Sequence, residues 1–283
     1  MSANNAHGNY SNYYTKRQAS LIVGDRRVDL LPLEWIQSKK VLDIGCNAGF
    51  VSVEIAQRMS PESVLGVDID PSLIKRCETH LAYVHSLQAP SVDENYPTVP
   101  QPNYFPIALP KIHGFIPLSE SRPSSRTGFP RNISFRAADW VVDTLEEDQA
   151  GYDLILALSL TKWIHLHHAD SGLMAFFKKI YTHLTPGGRL VLEPQSFKGY
   201  KDAAKKAGSA NSPDGSRLRS NLKTLKLRPE DFGDALVGLG FKRAGALRAG
   251  PGEDRMEGEG EADEELKGFD RPIEVYVKPS SII

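Results

Sequence analysis

The sequence predicts a doubly wound, mostly parallel α/β sheet with helices on both faces, and two observations carry this prediction. Short apolar segments suited to strands alternate along the chain with longer segments of helical period, as in folds built from β-α-β units. The first such unit, residues 41–68, contains a glycine turn between a strand and a helix. Ligands of this fold bind outside the carboxyl ends of the strands, so we expect the functional residues there.

Each predicted element has its own signal in the sequence. Residues 41–45 and 64–68 are apolar runs that predict the first two strands, with a helix at 50–59 between them. Pro71 favours the first turn of a helix over residues 71–86. The remaining predicted elements are strands at 133–137, 152–158, 189–193, 241–247 and 273–278, and helices at 172–184, ended by Pro-Gly-Gly, and at 231–239.

Composition and charge indicate a soluble intracellular protein. The 283 residues are enough to bury a sizeable core, and the formal net charge of −1 excludes no class of partner, because charged patches matter more than their sum. The two cysteines, Cys46 and Cys77, give no disulfide framework and fit a reducing compartment. No apolar run approaches the length of a membrane span, and the polar amino terminus lacks the pattern of a signal peptide.

A glycine turn after the first predicted strand indicates a nucleotide-like cofactor. In the sequence Asp43-x-Gly45-x-x-x-Gly49, the glycines let the backbone bend and approach a ligand closely. Asp68 follows about twenty residues later, at the position of an acid that accepts from ribose hydroxyl groups. Asn47 replaces the second glycine of the dinucleotide fingerprint. A structural turn that binds no ligand is the alternative interpretation.

This turn resembles the first motif of class I S-adenosylmethionine-dependent methyltransferases, whose Rossmann-like fold agrees with the predicted sheet. The cofactor of these enzymes lacks a pyrophosphate, so the missing glycine is less needed. In this interpretation, backbone groups of the turn line the methionine part, and the two acids at the ends of the second and third strands take the ribose and the adenine amino group. The predicted cofactor-binding residues are Asp43, Gly45, Cys46, Asn47, Gly49, Asp68, Ile69, Asp139, Trp140 and Leu158.

Three further segments resemble one family of methyltransferases. They are HGNYSNYYTKR at 7–17, LSLTKWIHL at 158–166 and LEPQ at 192–195. Together they resemble the bicoid-interacting-protein family, the methylphosphate capping enzymes that methylate the terminal phosphate of RNA 5′ ends. The likeness covers residues 8–199 apart from a proline-rich insertion, and it resumes weakly over 227–278. It implies S-adenosylmethionine as cofactor and RNA with a 5′-phosphate end as partner, with no metal required.

The basic and polar residues of these three segments suit an anionic substrate. We expect Lys162, Arg17 and the hydroxyl of Tyr13 to place the phosphate oxygens, while His165 and Gln195 donate hydrogen bonds to the same group. A terminal phosphate is mostly dianionic at neutral pH, so its attack on the methyl group needs alignment more than a general base.

Two residues near the amino terminus enter through the family resemblance. Arg27 matches the arginine that binds the cofactor carboxylate, although the neighbouring Arg26 leaves the register open. Tyr14 is expected beside the cofactor, in the wall of a pocket poor in water.

The resemblance also suggests how the chain is organised. We expect residues 1–35 to cover the substrate and cofactor, and residues 36–283 to form a single methyltransferase domain. Within that domain, residues 89–130 predict a proline-rich insertion and residues 250–268 a solvated acidic loop. Residues 198–228 are strongly basic, and charge alone leaves open whether they contact RNA or form an ordinary solvated face.

The sequence leaves several functions open. Residues 197–207 resemble the branch of the family that acts on 5′-monophosphate RNA, whereas Lys162 resembles the branch that caps triphosphate ends of small nuclear RNA. We favour the triphosphate branch, and a nuclear location over a cytoplasmic one. The rival functions are a small-molecule or protein methyltransferase with the same cofactor half, and an RNA-binding assembly factor with a mainly structural role.

Overall fold

A seven-stranded mixed sheet organises the computed structural model, which describes residues 24–90, 101–118, 128–206, 213–247 and 271–280. Its strands run in the order β3-β2-β1-β4-β5-β7-β6. Strand β1 pairs in parallel with β2 and β4, and β2 with β3, whereas β7 is antiparallel to both β5 and β6. The strands are β1 Lys40–Ile44, β2 Ser63–Asp68, β3 Ile133–Ala137, β4 Tyr152–Leu158, β5 Leu184–Glu193, β6 Lys242–Leu247 and β7 Ile273–Val277. The predicted fold class is confirmed.

Eight helices and three short 3₁₀ turns connect these strands within the described residues. The 3₁₀ turns are Leu33–Trp35, Glu146–Ala150 and Pro229–Asp231. The helices are α1 Arg26–Asp29, α2 Phe50–Arg58, α3 Pro71–Leu87, α4 Ala108–His113, α5 Thr161–His183, α6 Phe197–Lys206, α7 Pro213–Thr224 and α8 Phe232–Gly238. In the part of the chain described here, no helix combines the length and the apolar character needed to cross a bilayer.

The chain divides into two compact units within the described residues. One comprises residues 27–156, and the other comprises residues from 157 onward together with residues 24–26. In the unit of residues 27–156, β1 and β4 are largely apolar and fully buried at their centres, as strands covered on both faces should be. Helix α3 begins as the sequence predicts, with Pro71 in its first turn and the Asp70 carboxylate accepting from the Ser72 N–H at 2.8 Å.

In the other unit, one helix and one strand begin earlier in the chain than the sequence predicts. Helix α5 begins at Thr161 and is broken at Ala169, whose φ is 56°, so the helix predicted at 172–184 corresponds to the second of its two parts. Gly172 lies shortly after this break, and a Cβ there would lie 2.0 Å from the His168 Cβ. Strand β5 also includes the Pro-Gly-Gly predicted to precede it, because the Gly187 N–H donates to the carbonyl of Lys278, the residue directly after β7.

Two predicted segments lie wholly or partly outside the described residues. The described part of the insertion contains α4, so residues 89–130 are not entirely loop. The acidic segment 250–268 lies outside the described residues, and the proposed boundary between residues 35 and 36 stays a prediction.

Candidate functional site

The glycine turn of the unit 27–156 is held in left-handed conformations. Gly45, Asn47 and Gly49 have φ values of 74°, 52° and 78°. Gly49 also has little room for a side chain, because a Cβ there would lie 3.1 Å from the Cys77 Sγ. Backbone N–H groups of Gly45 and Cys46 both donate to a single carbonyl at the end of β2, which folds the turn over that strand. The turn therefore requires glycine at residue 49 for both conformation and space.

The carboxylate of Asp68 joins this turn to the start of α3. Its Oδ2 accepts from the Asn47 N–H at 2.9 Å and its Oδ1 from the Asp70 N–H at 3.0 Å. Each carboxylate oxygen can accept more than one hydrogen bond, so a ribose hydroxyl can still donate to this group. Ile69 is 41% exposed beside it, which leaves an apolar surface free for a flat ring such as adenine. These residues fit an adenosine-containing cofactor.

The side chains of two further predicted cofactor residues are buried beneath the glycine turn, inside the protein. Asp43 is buried and accepts from the Ser52 hydroxyl at 2.5 Å, which ties β1 to α2. Cys46 is buried with its Sγ 3.9 Å from that of Cys77, and burial raises the pKa of its thiol. The side chains of both residues thus face the protein, and only backbone groups of Cys46 remain for the predicted contact with the methionine part.

Asp139 and Trp140 follow β3, as predicted, but differ in their surroundings. Asp139 is half-buried, and its Oδ1 accepts from the Val141 N–H at 3.0 Å. Trp140 is buried, and its indole N–H donates to the Asp148 carboxylate, which also accepts from the Tyr152 hydroxyl. Trp140 is therefore a packed core residue, and its contact with adenine stays a prediction.

The remaining predicted cofactor residues lie at the edges of the described structure. Arg27 is buried while Arg26 is exposed, so the structure favours Arg27 as the arginine held in place. Leu158 is half-buried at the last position of β4. The predicted residues Tyr13, Tyr14 and Arg17 lie outside the described residues, and their roles stay predictions.

In the other unit, Ser159 organises the loop that follows β4. Its φ is 58°, a strained value for a residue with a side chain. Its N–H donates to the Glu193 carbonyl at 3.1 Å, and its hydroxyl donates to the buried Glu193 carboxylate at 2.7 Å. Arg271 donates to the same hydroxyl at 3.1 Å. The family motifs contain Ser159 and Glu193, but no sequence signal pointed to Arg271.

Gln195 fixes the first turn of α5. Its Oε1 accepts from the Lys162 N–H at 3.1 Å and from the Thr161 hydroxyl at 3.3 Å, while its Nε2 donates to the Ser159 carbonyl. The amide is buried among these partners. Gln195 therefore sets the position of the Lys162 backbone, and its predicted hydrogen bond to a phosphate stays a prediction.

The ammonium group of Lys162 lies over the first turn of α6. Lys162 is half-buried, with its Nζ 5.0 Å from the centroid of the Trp163 ring. A Cβ added at Gly199 would lie 3.9 Å from the same Nζ. The amino-terminal end of a helix carries partial positive charge, so this ammonium and the α6 start both favour an anion.

His165 is fully enclosed, with an exposed fraction of 0%. Its Nε2 lies 2.7 Å from Asp170 Oδ1, and its Nδ1 lies 3.4 Å from the Tyr200 hydroxyl. Burial lowers the pKa of His165 despite the Asp170 carboxylate, which favours the neutral ring. A neutral ring that donates from Nε2 to Asp170 leaves Nδ1 to accept from Tyr200. Both nitrogens thus have partners inside the protein, which favours a positioning role over direct contact with a phosphate.

The same network reaches two other elements. Asp170 also accepts from the Lys226 N–H at 2.9 Å, and Tyr200 belongs to α6. The network around His165 therefore holds α6 and the residues after α7 against α5. Sequence reasoning assigned no role to Asp170, which lies outside the motifs, or to Tyr200, which lies within the segment 197–207 but was not singled out there.

The basic segment 198–228 forms α6, α7 and the residues that follow them. Tyr200, Ala203 and Ala204 form the buried face of α6. Among the side chains of the segment that the structure describes, the exposed basic residues are Lys198, Lys201, Lys205, Arg217, Arg219, Lys223 and Lys226. Such a pattern fits an RNA-binding surface and an ordinary solvated face equally well.

Comparison with known proteins agrees with these motifs. A family model described as bicoid-interacting protein 3 matches residues 152–278, and a methyltransferase domain model matches residues 41–108. The Drosophila melanogaster U6 snRNA methylphosphate capping enzyme Amus is 31% identical over 96% of this chain and 74% of its own. This chain belongs to the bicoid-interacting protein 3 family. The cofactor prediction is confirmed at the level of that family, which uses S-adenosylmethionine.

Other members of the family differ in length and in name. The 7SK snRNA methylphosphate capping enzyme of Mus musculus is 32% identical over 97% of this chain and 41% of its own length. The chain thus spans about two fifths of that relative. The Xenopus laevis pre-miRNA 5′-monophosphate methyltransferase is 26% identical over 71% of this chain and 70% of its own.

A solved structure supports the fold alone. A chain in the complex between the Haloferax volcanii Trm112 methyltransferase activator and a methyltransferase aligns with a TM-score of 0.50 and 10% identity. The alignment covers 98% of this chain and 96% of the other.

Proposed function

We propose that this protein transfers a methyl group from S-adenosylmethionine to a terminal phosphate oxygen at the 5′ end of a small non-coding RNA. The names of the Drosophila and mouse relatives support this activity, and they also favour a nuclear location. The observation that carries the proposal is the fixed position of Lys162, whose backbone Gln195 holds and whose ammonium lies over the start of α6.

The residues of this chain need only bind and orient the reactants. When bound, S-adenosylmethionine supplies a methyl group already activated by its sulfonium. A terminal phosphate has a second pKa near 6, so its oxygen attacks without a general base. Lys162 holds that phosphate, and the neutral, enclosed His165 keeps α6 in place. Asp68 and the glycine turn hold the adenosine and methionine parts of the cofactor.

The triphosphate end is our preferred substrate, and the monophosphate end is the second candidate. The relatives with capping names match nearly the whole chain, whereas a relative named for 5′-monophosphate RNA matches 71% of it. The α6 segment, however, resembles the monophosphate branch, so both ends belong in the test.

The test uses labelled S-adenosylmethionine and three RNAs of identical sequence that carry a 5′-triphosphate, a 5′-monophosphate or a 5′-hydroxyl. We expect label on the phosphorylated ends only, in a product that resists phosphatase. Equal labelling of all three would mean that the methyl group goes elsewhere. RNA binding without any labelling would favour the assembly factor instead.

Substitution of Lys162 tests its role directly. Lys162→Ala should reduce turnover far more than cofactor affinity, because the partner of this ammonium is the phosphate. Lys162→Arg should not restore turnover fully, since a planar guanidinium presents different geometry. Lys178→Ala is the matched control, because Lys178 is an exposed lysine of the same helix. Equal turnover in the Lys162 and Lys178 variants would contradict the assignment.

A further inference from the structure

The guanidinium group of Arg228 lies over an aromatic ring. Its central carbon lies 3.9 Å from the centroid of the Phe197 ring, and the side chain is half-buried. Its backbone is fixed as well, because the Arg228 N–H donates to the Asp231 carboxylate at 3.1 Å. A planar guanidinium stacked in this way keeps a defined orientation, so its donors point in fixed directions.

Among the described residues, Arg228 lacks the partners that a partly buried arginine usually has. In the described part of the chain, no oxygen accepts a hydrogen bond from its side chain and no carboxylate pairs with it. Its Nη1 is enclosed without any hydrogen-bond partner among those residues. Arginines are rarely buried unless paired, and an unsatisfied donor is costly. The arrangement therefore indicates an acceptor that the described chain does not supply.

The position of Arg228 shows which acceptor would suit it. Phe197 is the first residue of α6, and the Lys162 ammonium lies over Gly199 in the same turn. The Nζ of Lys201 lies 5.9 Å from the Phe197 centroid. His165 contacts the same helix through Tyr200, and the charge of Arg228 helps to lower the pKa of its ring. Cations thus surround one helical turn, and a guanidinium fork matches phosphate oxygens.

We propose that Arg228 binds a second phosphate group of the RNA 5′ end, next to the one that Lys162 holds, and thereby makes the protein prefer a triphosphate over a monophosphate. This inference rests on the proposed function. A monophosphate end offers no second phosphate group at its terminus, so it gains nothing from this residue. Arg228 is then a specificity-determining residue that contacts the second phosphate, whereas Lys162 contacts the phosphate that receives the methyl group.

The test compares Arg228→Gln with the unaltered protein on 5′-triphosphate and 5′-monophosphate RNA of identical sequence. We expect kcat/KM to fall about tenfold or more with the triphosphate, the size typical of a lost charged hydrogen bond, and less than about threefold with the monophosphate. Phe197→Leu, which removes the platform, should shift the preference in the same direction by a smaller factor. Arg76→Gln, an exposed arginine on α3, is the matched control and should change neither value.

The outcomes separate this inference from the proposed function. An equal loss of kcat/KM on both RNAs would show that Arg228 acts through the fold or through Lys162. An unchanged kcat/KM on both RNAs would show that Arg228 binds no phosphate. Either result overturns the inference. If Arg228→Gln does not fold, Arg228→Lys removes the fork but keeps the charge, and the same ratio of kcat/KM values decides. If the unaltered protein methylates neither RNA, the proposed function fails. The inference is then tested by binding: it requires that the variants lose affinity for the triphosphate RNA relative to the monophosphate RNA.

Discussion

Replacing Asp68 by asparagine tests whether one carboxylate both shapes the glycine turn and binds the cofactor. The two oxygens accept from the Asn47 and Asp70 N–H groups at 2.9 Å and 3.0 Å. Asparagine keeps one acceptor oxygen, so one of these bonds is lost and an amide donor faces a backbone donor. A hydrogen bond to a charged group contributes about 1.5–3 kcal/mol, so Asp68→Asn should lower the free energy of unfolding by about that amount. Asp68→Ala loses both bonds and should cost roughly 2–5 kcal/mol, because water replaces part of the loss.

The assay combines urea unfolding without cofactor and calorimetric binding of S-adenosylhomocysteine to the folded variants. Asp68→Ala should also weaken that binding by about 1.5–3 kcal/mol, because the variant loses the charged hydrogen bond to the ribose. Asp70→Asn is the matched control, because the Asp70 carboxylate caps α3 through the Ser72 N–H, where asparagine serves equally well. An Asp68→Asn variant as stable as the unaltered protein would refute the role in the turn. Unchanged affinity in Asp68→Ala would refute the contact with ribose.

Two further predictions concern RNA and pH. Neutralising Lys201 and Lys205, which are exposed on α6, should reduce the slope of log affinity against log salt by about 0.7–0.9 for each RNA phosphate that a lysine no longer neutralises; an unchanged slope would make them a solvated face. Because burial lowers the pKa of His165 below its usual value of about 6.5, the unfolded chain binds a proton that the folded chain does not, and the free energy of unfolding should fall as pH drops below about 6.5. Urea titrations at about pH 7.5 and 5.5 should show a smaller fall in His165→Phe, and an equal fall in both proteins would contradict this.

Local signals in the sequence were enough to predict most of the sheet and the glycine turn. Apolar runs indicated the buried strands at the centre of the sheet, and the predicted bounds of β3 and β4 agree with the structure. Gly49 was predictable because left-handed backbone after a strand favours glycine. The prediction found the part of α5 that follows the break at Ala169, where Gly172 has the sequence character of a helix boundary, and it missed the part that precedes the break.

The partners of the candidate site residues could not be predicted in this way. Sequence motifs identified His165 and Gln195, but not what they contact, because Tyr200 and Ser159 lie about 35 residues away in the chain and meet them only after folding. Arg228 stood among many basic residues, and its close stacking on Phe197 and its enclosed Nη1 distinguish it from the exposed ones. Charge is visible in a sequence, whereas pairing and enclosure belong to the folded chain.

The contact between Gly49 and Cys77 has a consequence for variants far from any ligand. The Cys77 side chain forms the floor of the glycine turn, and a Cβ at Gly49 would already lie 3.1 Å from its sulfur. A bulkier apolar residue at position 77 would still bury an apolar side chain on the inner face of α3. It would, however, push the backbone of the glycine turn away from α3. Such a variant would keep its thermal stability better than its affinity for S-adenosylhomocysteine. A mutational survey would then count Cys77 among the ligand contacts, although it acts only by supporting the backbone above it.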